Sequence, residues 1–319
     1  MPFDATLLLQ RAAGIELLRG HHERGLNLMR EVLDRVEANA GVIVRARECL
    51  LQATMLAAGG LVHEAWDRVS EVRDWLATIE EERADERALD ELTLTCQLQC
   101  ANLHMLGDKA DLVITPLTEL IATCDASEEG WPAAQLARIT LAAAHTSLGN
   151  AAKATEVIAA MNQHLEQGTS GWFNGVIMSG RLGQRALGEA LIHGIQESYG
   201  KGPASRWSST DISLRCATDW LAFTSGEAVD TSHTAEMAKR ALATRHFSLA
   251  TLLTLLKACY ALEAGERLQG QEAVAEAVEI ARRHWALDEF GIMWNVLLPT
   301  ELKHVAAALL EADRLQHLN

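Results

Sequence analysis

The stretch Leu141-Ala-Ala-Ala-His-Thr-Ser-Leu-Gly149-Asn-Ala-Ala-Lys-Ala154 carries the layout of the whole chain. An apolar, alanine-rich run ends in a leucine, a glycine follows, and small residues open the next amphipathic run. Glycine most readily takes the left-handed backbone that stops a helix, so this layout predicts helix, tight turn, helix. It recurs at Gly20, Gly60, Gly107, Gly226 and Gly265. Successive glycines stand 40, 47, 42, 77 and 39 residues apart, and 77 is close to two periods. Self-similarity at roughly 40 residues, with a helix on each side of the turn, predicts stacked helical hairpins.

Outward from these turns, helical periodicity covers nearly everything. Over 26–36, Leu26, Met29, Val32, Leu33 and Val36 fall on one helix face and Arg30, Glu31, Asp34 and Arg35 on the other. Strand signals are missing: no alternating Val, Ile or Thr runs lie between hairpin turns. The expected fold is all-α, a right-handed superhelix of about seven hairpins in a single domain over 1–319. The hairpins read as 4–19 with 22–39, 42–58 with 61–79, 86–106 with 109–124, and 132–148 with 151–167. A less regular unit follows at 171–199, then 209–225 with 231–245 and 247–264 with 267–285. The loop at 200–208 is a candidate hinge. The nearly all-apolar run 288–298 and the amphipathic 300–317 predict a capping piece over 288–319, since a solenoid's last unit exposes an apolar face. Pairing of two chains through this end is the other reading.

Five glycines, Gly175, Gly180, Gly183, Gly188 and Gly194, punctuate the 171–199 unit. An interior glycine costs a helix about 1 kcal/mol against alanine, so five need a reason. Two readings stand: close backbone approach to a ligand or neighbouring helix, or two short helices with glycine at their junction.

The chain of 319 residues is 49% hydrophobic and carries a formal charge of −15. That balance disfavours direct contact with nucleic acid or anionic membrane. No basic, then apolar, leader is visible and no 18-residue apolar run exists, so the expected location is the cytoplasm. None of the six cysteines forms a CxxC pair, which predicts reduced, buried thiols.

Within 141–154, the small Ala142, the turn Gly149 and the early Ala154 resemble the signature positions of a tetratricopeptide repeat, as do Ala53, Gly60 and Ala65. The period is longer than that family's usual one. The stretch Leu255 to Gly291, with Ala258-Cys-Tyr-Ala-Leu-Glu-Ala-Gly-Glu-Arg and Ala277-Val-Glu-Ile-Ala-Arg-Arg-His, is similar to the last repeats of sensor domains in large ATP-dependent LuxR-type activators. No Walker A sequence precedes the repeats and no helix-turn-helix follows residue 317. The resemblance therefore implies a sensor or adaptor scaffold without the ATPase or DNA-binding parts.

The tetratricopeptide register implies which side chains line a concave groove: Gln97, Ala101, His104 and Met105, then Ile139, Ala143, Thr146 and Ser147, then Trp220, Phe223 and Thr224. Cys96 and Cys100 fall on packing positions. The row Cys96, Cys100, His104 spreads over about 12 Å of helix, too far for one metal to reach all three. Buried thiols beside a groove histidine are expected, with no metal and no cofactor. The implied groove is neutral and apolar, without the basic clamp that holds acidic peptide tails. Among eight tryptophans, Trp172, Trp207 and Trp220 flank the irregular middle, where indole rings suit either ligand stacking or core packing.

Enzyme motifs fail in turn. His63-Glu64 lacks the second histidine of HExxH, and neither a G-x-S-x-G elbow nor a phosphate-binding P-loop occurs. The expected function is a non-catalytic adaptor or regulatory module that binds a protein or peptide in its groove. A sensor of a small neutral or apolar molecule, with a pocket over 172–223, is the alternative, and an enzyme on a helical scaffold the third reading.

Overall fold

Seven helix ends share one closing geometry. In each, a residue takes the left-handed conformation: Gly60, Asp108, Gly149, Gly183, Gly226, Arg245 and Gly265, with φ between 57° and 80°. Each donates its N–H to the carbonyl three residues back, and the next residue donates to the carbonyl five back. At Gly149 these bonds are Gly149 N–H to Thr146 O at 3.1 Å and Asn150 N–H to His145 O at 2.8 Å. The pair satisfies carbonyls that the ending helix leaves bare.

The computed structural model describes residues 5–18, 22–39, 42–78, 86–126, 132–161, 171–199, 209–284, 286–287, 293–294 and 296–317. Gly20 and the 200–208 loop lie outside them. The described elements are all helical. In chain order they are α1 (Ala5–Leu18), α2 (His22–Asn39), α3 (Val42–Ala58), α4 (Val62–Thr78) and α5 (Glu86–Leu106). A short 3-10 helix (Ala110–Val113) leads into α6 (Ile114–Asp125), followed by α7 (Pro132–Ser147), α8 (Ala151–Met161), α9 (Gly171–Arg181) and α10 (Arg185–Tyr199). The chain ends with α11 (Ser209–Thr224), α12 (Thr231–Ala243), α13 (Phe247–Glu263), α14 (Arg267–Arg283) and α15 (Thr300–His317). No helix among the described residues is long and apolar enough to cross a membrane.

The packing follows a rule of two. From α3 to α13 each odd-numbered helix touches the next odd one: α3 meets α5, α5 meets α7, α7 meets α9, α9 meets α11 and α11 meets α13. Each even helix packs against its odd neighbours, and consecutive even helices make no comparable contact among the described residues. Small residues permit this closeness. Ala46, Ala53, Ala137, Ala142, Ala143, Ala144 and Ala217 are all wholly inaccessible on odd helices.

Three turns differ from the sequence reading. At the third hairpin the left-handed residue is Asp108, one position past Gly107. Gly183 closes the α9–α10 turn and splits the 77-residue gap into 34 and 43. Arg245 joins α12 directly to α13, and α12 packs more extensively on α13 than on α11. Six residues, Ser225 to Asp230, separate α11 from α12, and the Asp230 carboxylate caps α12 by accepting from the Ser232 and His233 N–H groups.

Both readings of the glycine-rich unit are realised. Gly183 marks the junction of two helices, while Gly180 and Gly188 bring the backbone onto α11. A methyl group on Gly180 would collide with Thr224 Oγ1 and stand 3.3 Å from Leu221 Cα; one on Gly188 would stand 2.7 Å from Leu221 Cδ1. At the carboxy-terminal end, Met293, Val296, Leu297 and Leu298 are buried. Leu302 and Ala306 of α15 are buried too, and α15 packs on α14.

The contrast between two glycines is testable. Gly14 sits in α1 with open space around its absent Cβ. Gly14→Ala should raise stability by about 0.5–1 kcal/mol through helix propensity alone. Gly180→Ala must push α9 and α11 apart and should lower it by about 1–3 kcal/mol. Urea denaturation followed by circular dichroism reads both.

Candidate functional site

The odd-helix row changes character along the chain. In its first half, polar side chains bridge one odd helix to the next. Gln10 of α1 donates to the Glu48 carboxylate of α3, and the Gln99 amide of α5 donates to the Thr54 hydroxyl of α3. The Thr140 hydroxyl of α7 donates to Asn102 of α5 at 3.1 Å. Arg47 and Glu91 add an ion pair between α3 and α5 at 3.2 Å. Buried amides and hydroxyls must be paired, so these bonds fix the register of neighbouring helices. Further along, the row is dry. There Trp220 Nε1 of α11 donates to the Leu252 carbonyl of α13 at 3.1 Å.

The same row carries most of the exposed apolar surface. Eight large apolar side chains stand out in solvent among the described residues, and five of them, Leu8, Ile15, Val44, Leu51 and Leu136, lie on α1, α3 and α7. Leu8 with Ile15, and Val44 with Leu51, are two helical turns apart and share a face.

The residues named from sequence are dispersed. Gln97 is exposed on α5. His104 is half-buried with its ring edge-on to Trp66 at 4.8 Å, its Nδ1 has no partner, and burial lowers its pKa. Met105 and Ile139 are core residues, 9% and 5% exposed. The Thr146 hydroxyl is spent on the Ala142 carbonyl at 2.8 Å. Trp172 and Trp220 have no exposed surface at all. Trp207 lies outside the described residues. Trp220 and Phe223 come together, edge to face at 6.1 Å.

Those two rings border a polar spot that composition did not reveal. Phe223 of α11 packs edge-on to Tyr260 of α13 at 4.6 Å. The buried Tyr260 hydroxyl has no hydrogen-bond partner. Asp219 of α11 is 3% exposed, its carboxylate 2.9 Å from Arg215 Nε and 3.4 Å from the Thr234 hydroxyl of α12. Burial pushes the Asp219 carboxyl up, against the opposing pull of Arg215, His233 and Thr234. Burial, then the Asp219 charge, pushes the Tyr260 phenol up as well. The spot lies where α12 leans away from α11. The available signal was an aspartate on an otherwise apolar helix face, together with one of only two tyrosines.

The thiols follow the sequence expectation in part. Cys96 is 3% exposed, Cys100 is half-buried, and none of the six cysteines forms a disulfide. Burial raises the Cys124 thiol to about 11 and the Cys259 thiol to about 12. Among the described residues no group of three or more metal-ligating side chains converges.

Neither a scan of protein-family models nor a search of curated proteins finds a match to the chain.

Asp219 gives a pH test. Its folded pKa is raised above the unfolded value, so its stabilising contribution is full below the unfolded pKa and is lost as pH rises through the folded one. The stability of Asp219→Asn relative to the parent should therefore move in favour of the variant as pH rises from about 3 to 7. Thermal melts across that range check the sign.

Proposed function

We propose that this chain is a non-catalytic binding module: a tetratricopeptide-like superhelix of about seven hairpins whose odd-helix face takes a partner protein or peptide. One observation carries this reading. The exposed apolar side chains gather on the helices that pack directly on one another, and the even helices contribute only Leu268 of α14 to that set. Apolar side chains paired on one face, Leu8 with Ile15 and Val44 with Leu51, are the kind of exposed surface that serves an interaction. The partner is a segment with apolar anchors matched to Val44 and Leu51. The neutral amides and hydroxyls of the row do not suit an acidic tail. A regulatory role in the cytoplasm, like that of the sensor domains described above, goes with this reading.

The unpartnered Tyr260 hydroxyl beside Phe223 favours a second reading, a small-molecule sensor centred between α11 and α13. Trp172 and Trp220 then support the spot from within the core rather than line it.

The test begins with capture of a partner from the native host and continues with the purified pair. Val44→Asp and Leu51→Asp should each weaken binding by about tenfold or more, the loss of one buried apolar anchor, with an unchanged melting temperature. Leu268→Asp on α14 should leave affinity intact. Equal affinity across all three variants would refute the odd-helix face as the binding surface.

A further inference from the structure

Cys96 and Cys100 stand one helical turn apart on α5, on the face turned toward α4. The Cys96 Sγ lies 3.9 Å from the Val69 carbonyl of α4. Arg73 stands one helical turn beyond Val69 on α4, and its guanidinium charge acts on both thiols. Val69, Val72 and Leu103 in the surrounding cluster are almost wholly buried, while Cys100 keeps a partly open path to solvent. Elsewhere in the described chain the thiols are buried singly on different helices: Cys49 on α3, Cys124 on α6, Cys216 on α11 and Cys259 on α13.

We infer that the Cys96–Cys100 pair is a two-coordinate site for a soft monovalent cation of the Cu(I) type. Three arguments select this chemistry. The first is reach. Residues four apart on a helix hold their Cβ atoms about 5–6 Å apart, whereas a disulfide needs about 3.5–4.5 Å. Direct oxidation of the pair would have to distort α5. A bridging ion with two metal–sulfur bonds of about 2.3 Å spans the sulfurs without that distortion.

The second is ligand number. Zinc requires four ligands in a tetrahedron, and no third ligand converges here among the described residues. Soft thiolates select Cu(I), which is content with two. The third is charge. Binding releases both thiol protons, so one cation with two thiolates leaves a net charge of −1, and Arg73 balances it.

The experiment uses the full chain, reduced and handled without oxygen, titrated against the Cu(I)–bicinchoninate complex. The parent protein should withdraw one equivalent of Cu(I) and develop ultraviolet thiolate-to-copper absorption. Cys100→Ser, at a half-exposed position, should fold normally by circular dichroism. It should lose copper affinity by at least about 100-fold, beyond what outer-shell changes around a metal cost. Cys124→Ser should behave as the parent, and Zn(II) should not bind stoichiometrically. Copper left with the chelator by the parent, copper retained by Cys100→Ser, or stoichiometric zinc would each overturn the assignment. So would ready formation of a 96–100 disulfide by dilute peroxide in a protein that takes no copper.

Discussion

A helix that ends must satisfy its last carbonyls before the chain can reverse, and the way this chain does so governs the rest. Seven times, one left-handed residue returns its own N–H and that of its successor to carbonyls of the finishing helix. The next helix then begins within one to four residues. Short connections of this kind bring neighbouring helices into contact, and small facing residues let odd helices approach closely at several of those contacts. The alanines of α3, α7 and α11 and the glycines of α9 and α10 allow such close approach.

What could be read from the chain alone was set by whether a residue type has one physical reason to be where it is. Gly60, Gly149, Gly226 and Gly265 do, since no other residue takes the left-handed region so freely. Asp108 takes it too, because a short polar side chain tolerates it, and this displaced the third turn by one residue. Arg245 has no such preference, so the α12–α13 turn left no mark. Gly183 was hidden among neighbours kept for a different purpose, the close approach of α9 and α10 to Leu221.

Site residues were less legible, because each depends on what another helix brings. Nothing local to Gln99 or Asn102 says that Thr54 and Thr140 wait on the adjoining helices. Trp220 suggested a ligand platform by type, yet its indole N–H is committed to Leu252 O and its ring is sealed in the core. Tyr260 and Asp219 acquire meaning only where α11 meets α12 and α13.

Helix α5 belongs to two cores at once. Leu92, Cys96 and Leu103 pack in a cluster with α2, α3 and α4, while Leu94, Leu98, Ala101 and Met105 belong to the larger cluster that extends to α15. It is therefore a party wall. A shift of α5 toward α4, even by a fraction of an ångström, must be answered on its other side by α7, since neither interior has slack to absorb it. Pulled by its two ends, the molecule would come apart in sequence, the smaller room before the larger, with this one helix as the last shared support.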